Sequence, residues 1–276
     1  MSSVLWLNGT WTDQDKAVVP ADDRSLRLGD GIFDTIRVHK GRLIHSEAHL
    51  ARLEKGLAFF KLSYDTSQLE QCCHEVIAKN ALTEGFVRIT IRRGNGQDPV
   101  VGYRPPENTE SFCIITSFAS PLPAPKPVRL AVSSVPLAWR VPCKIASALP
   151  YVAAMQEAIE HGCDNALMLT PDGLVCEATN ANIFWIQGGT LYTPAPDLPF
   201  IPGTVAAVVL QAWTGAIKQG HFTLKTFKDA EEIFLANVGS IITPVAEIKG
   251  VTAAKNTFEQ TLLLRAAVLA RLGISG

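Results

Sequence analysis

The heptapeptide Pro121-Leu-Pro-Ala-Pro-Lys-Pro127 places four prolines in seven residues. Each proline fixes φ and lacks an amide proton, so the run is stiff, extended and unable to lie inside a sheet or helix. The chain is therefore read as a smaller N-terminal domain at 1–120, a linker at 121–127 and a larger domain at 128–276. A length of 276 residues gives a substantial core to that arrangement.

Patterning on either side of the linker mixes both periods. Short strands are expected within 3–20, around the Asn8-Gly9 turn signal. Gly31 to Val38 alternates apolar and polar residues, as a half-buried strand does. From Ser46 to Leu62, Leu50, Leu53, Leu57 and Phe60 recur at helical steps, with Ser46 placed to cap the start. A second helix is expected over 66–80, and strands over 86–92 and 111–118. Beyond the linker, strands are predicted at 128–132, 166–170, 182–186 and 190–193, and helices at 147–161, 203–219 and 256–272. This alternation predicts an α+β fold with mixed or antiparallel sheets and no βαβ series. No G-x-G-x-x-G or Walker sequence occurs, which removes dinucleotide and P-loop readings.

Charge narrows the partners. A net charge of -1 gives no electrostatic basis for binding nucleic acid or an anionic membrane. A bound phosphate would have to be held locally, by an arginine and backbone amides. Cys72, Cys73, Cys113, Cys143, Cys163 and Cys176 are scattered without a C-x-x-C pair. They read as buried free thiols in a reducing compartment, with neither a disulfide framework nor a metal site. The N-terminus lacks a basic region followed by an apolar one, and no apolar run reaches membrane-spanning length, so a cytoplasmic protein is expected.

Five places carry chemistry. Lys144 stands in an apolar setting at the head of a helix-like run, where burial would lower an amine's pKa. Glu177 lies on the returning strand of a hairpin whose Asp172-Gly173 step signals a type I′ turn. Small and amide side chains, Asn180 among them, follow it and could line a polar pocket. Arg52, set among leucines, can clamp a phosphate with its planar fork. Ile201-Pro-Gly203-Thr204-Val205 reads as a helix N-terminus, whose free amides favour anions. Asn237-Val238-Gly239-Ser240 is a small-residue turn that can present amides to the same kind of group. An amine able to link to an aldehyde and a carboxylate able to keep a pyridine nitrogen protonated are the two groups that pyridoxal phosphate chemistry needs.

In this order and at these separations, the elements resemble the fold-type IV pyridoxal-phosphate enzymes. The resemblance rests on D-R-S-L-R-L-G-D-G-I-F-D-T-I-R-V (23–38), H-L-A-R-L (49–53), K-I-A-S-A-L-P-Y-V-A-A-M-Q-E-A (144–158), D-N-A-L-M-L (164–169), E-A-T-N-A-N-I-F-W (177–185) and L-Y-T-P (191–194). It implies a two-domain fold with a mixed sheet or barrel in the larger domain, and pyridoxal 5′-phosphate as cofactor. It also implies Lys144 as the Schiff-base lysine and proton shuttle, Glu177 at the pyridine nitrogen, and Arg52 on the phosphate. Thr204 and Val205 would bind the phosphate too, Ile201 would pack behind the ring, and Asn237 to Ser240 would supply the opposite side. A homodimer acting on a small amino substrate is the implied assembly.

Within the family, the branched-chain enzymes carry a K-x-x-x-N-Y pattern, and Ala148 and Leu149 stand in its last two places here. The D-amino acid enzymes use a strand tyrosine and an R-x-H carboxylate trap. This chain has Phe33 on that strand and Q-D-P-V-V-G-Y at 97–103. The stretch R-I-T-I-R-R-G-N-G with the later G-Y-R is most similar to the 4-amino-4-deoxychorismate lyases. That resemblance implies loss of pyruvate to give 4-aminobenzoate, the alternative being a class IV aminotransferase. Arg27, Arg93 and Arg104 are the candidates for anchoring the substrate's carboxylate.

Overall fold

A computed structural model describes residues 3–95, 102–107, 109–253 and 255–274. The chain forms two compact units, Met1–Leu122 with Pro142–Ala148, and Pro123–Val141 with Leu149–Gly276.

The first unit runs β1 (Val4–Leu7), β2 (Thr10–Asp13), α1 (Arg24–Leu28), β3 (Gly31–His39), β4 (Arg42–Leu43), α2 (Ser46–Phe60), α3 (Leu69–Lys79), β5 (Glu84–Arg93) and β6 (Ser111–Ala119). After β7 (Val128–Val132), which belongs to the second unit, it also takes β8 (Lys144–Ile145). Its strands follow the order β2-β1-β6-β5-β3-β4, with β8 antiparallel to β3. Asn8 and Gly9 both have positive φ and link Leu7 directly to Thr10, as the two-residue turn requires. Ile32, Ile36 and Val38 of β3 join Leu53 and Leu57 of α2 and Val76 and Ile77 of α3 in one buried cluster. Alternation along a strand therefore assigns Asp34 to the helix-covered face, and Phe33 and Thr35 to the other.

The second unit adds α4 (Leu149–Glu160), β9 (Asn165–Leu169), β10 (Val175–Ala178), β11 (Ala181–Gln187), β12 (Thr190–Pro194), α5 (Thr204–Ala212), β13 (Ile217–Gly220), β14 (Glu232–Asn237), β15 (Ile241–Ile248) and α6 (Glu259–Arg271). Its sheet runs β10-β9-β7-β15-β14-β11-β12-β13, and β10 also pairs with β11. That extra pairing closes β10, β9, β7, β15, β14 and β11 into a ring, which removes their exposed edges. Every strand of the ring contributes to one apolar cluster, including Leu130, Leu167, Val175, Ile183, Leu235 and Val245.

Several local expectations are corrected. Residues 142–148 group with the first unit because β8 pairs with β3, so Lys144 sits on a short strand and the helix begins only at Leu149. Ser46 is the first helical residue of α2. His45, in the left-handed region, takes the cap position, and the Ser46 hydroxyl donates to Glu70 instead. The helix expected over 203–219 ends at Ala212. Trp213 is extended, and Ile217–Gly220 pairs parallel to β12. Of Asp172 and Gly173 only the glycine has positive φ, so the turn is not type I′. Gly173 donates to the Thr170 carbonyl across Pro171 and Asp172, a geometry that proline's fixed φ favours.

Candidate functional site

The candidate residues are divided between the two units. In the first, Lys144 is opposite Phe33 in the β3–β8 register, and its neighbour Ile145 is opposite Ile32. Cys143 and Ile145 pack toward the buried cluster, so the side chain between them leaves on the other face. The Lys144 Nζ lies 5.7 Å from the Phe33 ring centre. Arg88 of β5, opposite Thr35, projects from that same face, and its guanidinium sits 3.9 Å from the Phe33 ring centre. Both side chains thus lie within cation–π distance of the Phe33 ring.

Beneath that face, Asp34 holds Arg52. Nε donates to Oδ2 and NH2 to Oδ1, each at 2.8 Å, and His49 Nδ1 lies 2.7 Å from Oδ1. All three side chains are buried. Arg52 is therefore built into the unit, with one edge of its fork on a carboxylate. Its charge also reaches Cys143, whose thiol burial pushes up to about 11 against that charge. Gly56 lets α2 approach this segment, since a Cβ there would fall 2.6 Å from Cys143 Sγ.

In the second unit Glu177 is 3% exposed. A register shift between Val175 and Glu177 interrupts the β9–β10 ladder, and Glu177 pairs directly with Asn182 of β11. Such a bulge re-aims side chains. Val175, Ala178, Ala181 and Ile183 fill the interior of the ring, which leaves Glu177 and Asn182 to its outer surface. There the carboxylate receives the Tyr151 hydroxyl (2.9 Å) and the Ile201 amide (3.1 Å) on Oε1, and Asn182 Nδ2 (3.3 Å) on Oε2. Asn182 Nδ2 also donates to the Ile201 carbonyl at 2.9 Å, tying the segment before α5 to this strand pair. Gly203 is required at the α5 N-terminus, because a Cβ would collide with Asn182 Oδ1. Thr204 and Val205, both buried, open that helix behind Gly203 in the cap position.

The turn from Asn237 to Ser240 joins this region through Asn237 Nδ2, which donates to the Asn180 carbonyl at 3.2 Å. Ser240 donates its amide and its hydroxyl to Asn237 Oδ1, at 2.9 and 3.1 Å. The Asn180 side chain accepts from Asn165 Nδ2 at 2.9 Å. Glu177, Asn180, Ile201, Thr204, Val205, Val238, Gly239 and Ser240 thus all belong to the second unit, and Lys144, Arg52 and Phe33 to the first.

The three candidate carboxylate anchors fare differently from Phe33. Arg93 Nε donates to Asp30, and its NH1 and NH2 to the Lys61 and Phe60 carbonyls, so its fork is spent on fastening the end of β5. Arg27 is exposed on α1, and Arg104 is exposed and pairs with Glu107 at 3.2 Å. None of the three shares the face of Lys144 and Phe33 in the way Arg88 does. Counting two residues along β5 from Thr90, the partner of Phe33, was the available signal for Arg88. The stretch 97–101, read as lacking an R-x-H trap, lies outside the described residues. Among the described residues no group of His, Cys, Asp and Glu could hold a metal ion, and no helix is long and apolar enough to cross a membrane.

A family model described as amino-transferase class IV matches residues 31–248. A D-alanine aminotransferase of Listeria monocytogenes is 24% identical over 261 residues, covering 90% of this chain and 88% of its own. The branched-chain amino acid aminotransferase structure of Escherichia coli superposes with a TM-score of 0.90 at 22% identity, over 100% of this chain and 97% of that one. The 4-amino-4-deoxychorismate lyase structure of Pseudomonas aeruginosa gives a TM-score of 0.82 at 27% identity, over 97% and 99%.

Proposed function

This chain belongs to the class IV amino-transferase family and is a pyridoxal-phosphate-dependent enzyme, and from that premise we propose that it is a 4-amino-4-deoxychorismate lyase. Its residues fit the cofactor. Glu177 is a buried carboxylate held by neutral donors, which suits a protonated ring nitrogen. The α5 N-terminus, which opens at Gly203 with Thr204 and Val205 as its first residues, suits a phosphate. Lys144 supplies the amine that links to the aldehyde.

When bound, pyridoxal phosphate supplies an aldehyde that captures the substrate amine and a ring that draws electrons from the carbon bearing it. The chain supplies the rest. Glu177 keeps the ring nitrogen protonated. Thr204 and Val205 would hold the phosphate through α5; Arg52, whose orientation Asp34 and His49 fix, would bind it as well. Ile201 would pack behind the ring, and Asn180 and the Val238-Gly239-Ser240 turn would line its surroundings. Lys144 Nζ would remove the proton from the amine-bearing carbon of the bound substrate. It would then return a proton to the departing enolpyruvyl group, which would leave as pyruvate while the substrate ring becomes aromatic. Phe33 offers an apolar face for that ring and Arg88 a guanidinium for a substrate carboxylate.

The observation that carries the lyase reading is the 27% identity over nearly all of both chains with the Pseudomonas lyase. A second reading, transamination, is favoured by the Listeria relative. There Lys144 would hand the proton back to the carbon that had carried the aldehyde. The assembly is proposed to be a cytoplasmic homodimer. Leu149, Val152 and Ile159 of α4, 74%, 59% and 68% exposed, supply apolar surface for a second copy, and all six cysteines are free thiols.

Incubation with 4-amino-4-deoxychorismate, and separately with D- or L-alanine plus 2-oxoglutarate, tests the reading. Pyruvate and 4-aminobenzoate from the first and no glutamate from the others support the lyase. Glutamate from either enantiomer, with no 4-aminobenzoate, replaces it by the transaminase.

A further inference from the structure

We propose that Tyr151 is a positioning residue for Glu177, donating through its hydroxyl so that the carboxylate stays ionised and the ring nitrogen of the bound cofactor stays protonated. The inference rests on the reading of Glu177 as the partner of that nitrogen and gives that contact a regulator within the chain.

Tyr151 lies in the first turn of α4 and, like Met155 and Phe200, packs against the buried cluster that includes Ala154, Ala158, Met168 and Leu198. Packing alone needs no hydroxyl. A phenol buried without a partner loses its hydrogen bonds to water, so phenylalanine would serve an apolar site better. Here the hydroxyl reaches Glu177 Oε1 at 2.9 Å, and the bond spans 26 residues of sequence. Its acceptor is the carboxylate on which the ring's electron withdrawal depends.

A hydrogen bond to the charged form of an acid stabilises that form. With Tyr151 donating, Glu177 competes less well for the shared proton, and the nitrogen keeps it. The Ile201 amide acts in the same sense on Oε1 at 3.1 Å, and Asn182 more weakly on Oε2 at 3.3 Å. Of these donors only Tyr151 can be deleted without disturbing the main chain or the Asn182–Ile201 link. Burial and the Glu177 charge push the phenol up, so it remains a donor across the working pH range.

The test uses the holoenzyme loaded with pyridoxal phosphate labelled with nitrogen-15 in the ring. The nitrogen's chemical shift is followed against pH in wild type, Tyr151→Phe, Glu177→Gln and protein carrying 3-fluorotyrosine at position 151, a stronger donor of the same shape. The proposal expects the shift at neutral pH to move toward that of an unprotonated nitrogen in Tyr151→Phe and away from it with 3-fluorotyrosine. It also expects kcat to fall about tenfold in Tyr151→Phe while KM stays within about twofold. A neutral-pH shift unchanged in both Tyr151 proteins, while Glu177→Gln loses the proton at neutral pH, overturns the role of Tyr151 and leaves Glu177 in place. A shift unmoved by Glu177→Gln removes the reading of Glu177 itself. Should Tyr151→Phe not fold, the fluorotyrosine protein alone gives the answer, since it keeps every atom of the packing.

Discussion

Asp34 and Arg52 form a two-pronged pair, Nε on Oδ2 and NH2 on Oδ1 at 2.8 Å each, on the side of β3 covered by α2. Asp34 is 1% exposed and Arg52 6%. Removing one member leaves the other charged and buried, a loss of about 3–5 kcal/mol in comparable pairs. Asp34→Ala is expected to lose stability on that scale in urea denaturation. Because Arg52 would also lose its fixed orientation, the variant should bind pyridoxal phosphate more weakly. Unchanged cofactor affinity in a folded Asp34→Ala protein would separate Arg52 from the phosphate.

The same cluster sets an acid limit. Burial raises the Asp34 carboxyl, but the hydrogen bond from His49 and the Arg52 charge outweigh it and hold it well below the ordinary carboxylate range. A depressed folded-state value means that this stability is complete above the unfolded value of about 3.9 and drains away as pH falls from there through the folded value. Burial lowers the His49 imidazole, with Asp34 opposing. Its contribution is complete above an unfolded value of about 6.5 and declines below it. Urea denaturation as a function of pH should show a shallow loss below about 6.5 and a steeper one below about 4. His49→Asn should lack the first, and its persistence would assign that loss to another group.

Arg88 and Arg93 are predicted to respond in opposite ways. Arg88→Gln removes the guanidinium beside Phe33 and should raise KM for the carboxylate substrate by roughly tenfold or more, with little change in melting temperature. Arg93→Ala leaves Asp30 with Arg24 alone, frees the Phe60 and Lys61 carbonyls and should lower stability by about 1–3 kcal/mol. Steady-state kinetics and thermal denaturation of the two variants check the contrast. An Arg88→Gln enzyme with unaltered KM would exclude Arg88 from substrate binding.

Gly203→Ala tests the junction between Glu177 and α5. The added methyl would meet Asn182 Oδ1, whose amide links the Ile201 carbonyl to the Glu177 carboxylate. Displacing Asn182 should weaken cofactor binding by about tenfold, the equivalent of one hydrogen bond of ordinary strength. Equilibrium dialysis with pyridoxal phosphate measures it, and wild-type affinity would count against this junction.

Much of this arrangement is legible in the sequence because it rests on local periodicity. The alternation of Gly31 to Val38, the leucine spacing after Ser46 and the proline run at 121–127 each report a short-range physical constraint. What escaped depends on partners far along the chain. Lys144 leads no helix, since β3 recruits it as a strand, and only the register with Phe33 reveals which face it takes. The helix expected to 219 stops at Ala212 because the following segment finds β12 to pair with. Arg52 was read from its fork, but the Asp34 that holds it looked like one polar residue of an alternating strand. Arg93 and Arg88 are indistinguishable by composition, and the contacts of Asp30 and Phe33 tell them apart.

The most direct measurement is borohydride reduction of the holoenzyme followed by peptide mapping, which fixes the cofactor to whichever amine carries it. The account predicts one phosphopyridoxyl group, on Lys144, and a Lys144→Ala protein that is folded, inactive and unlabelled. Labelling at a different lysine, or full activity in Lys144→Ala, would contradict it.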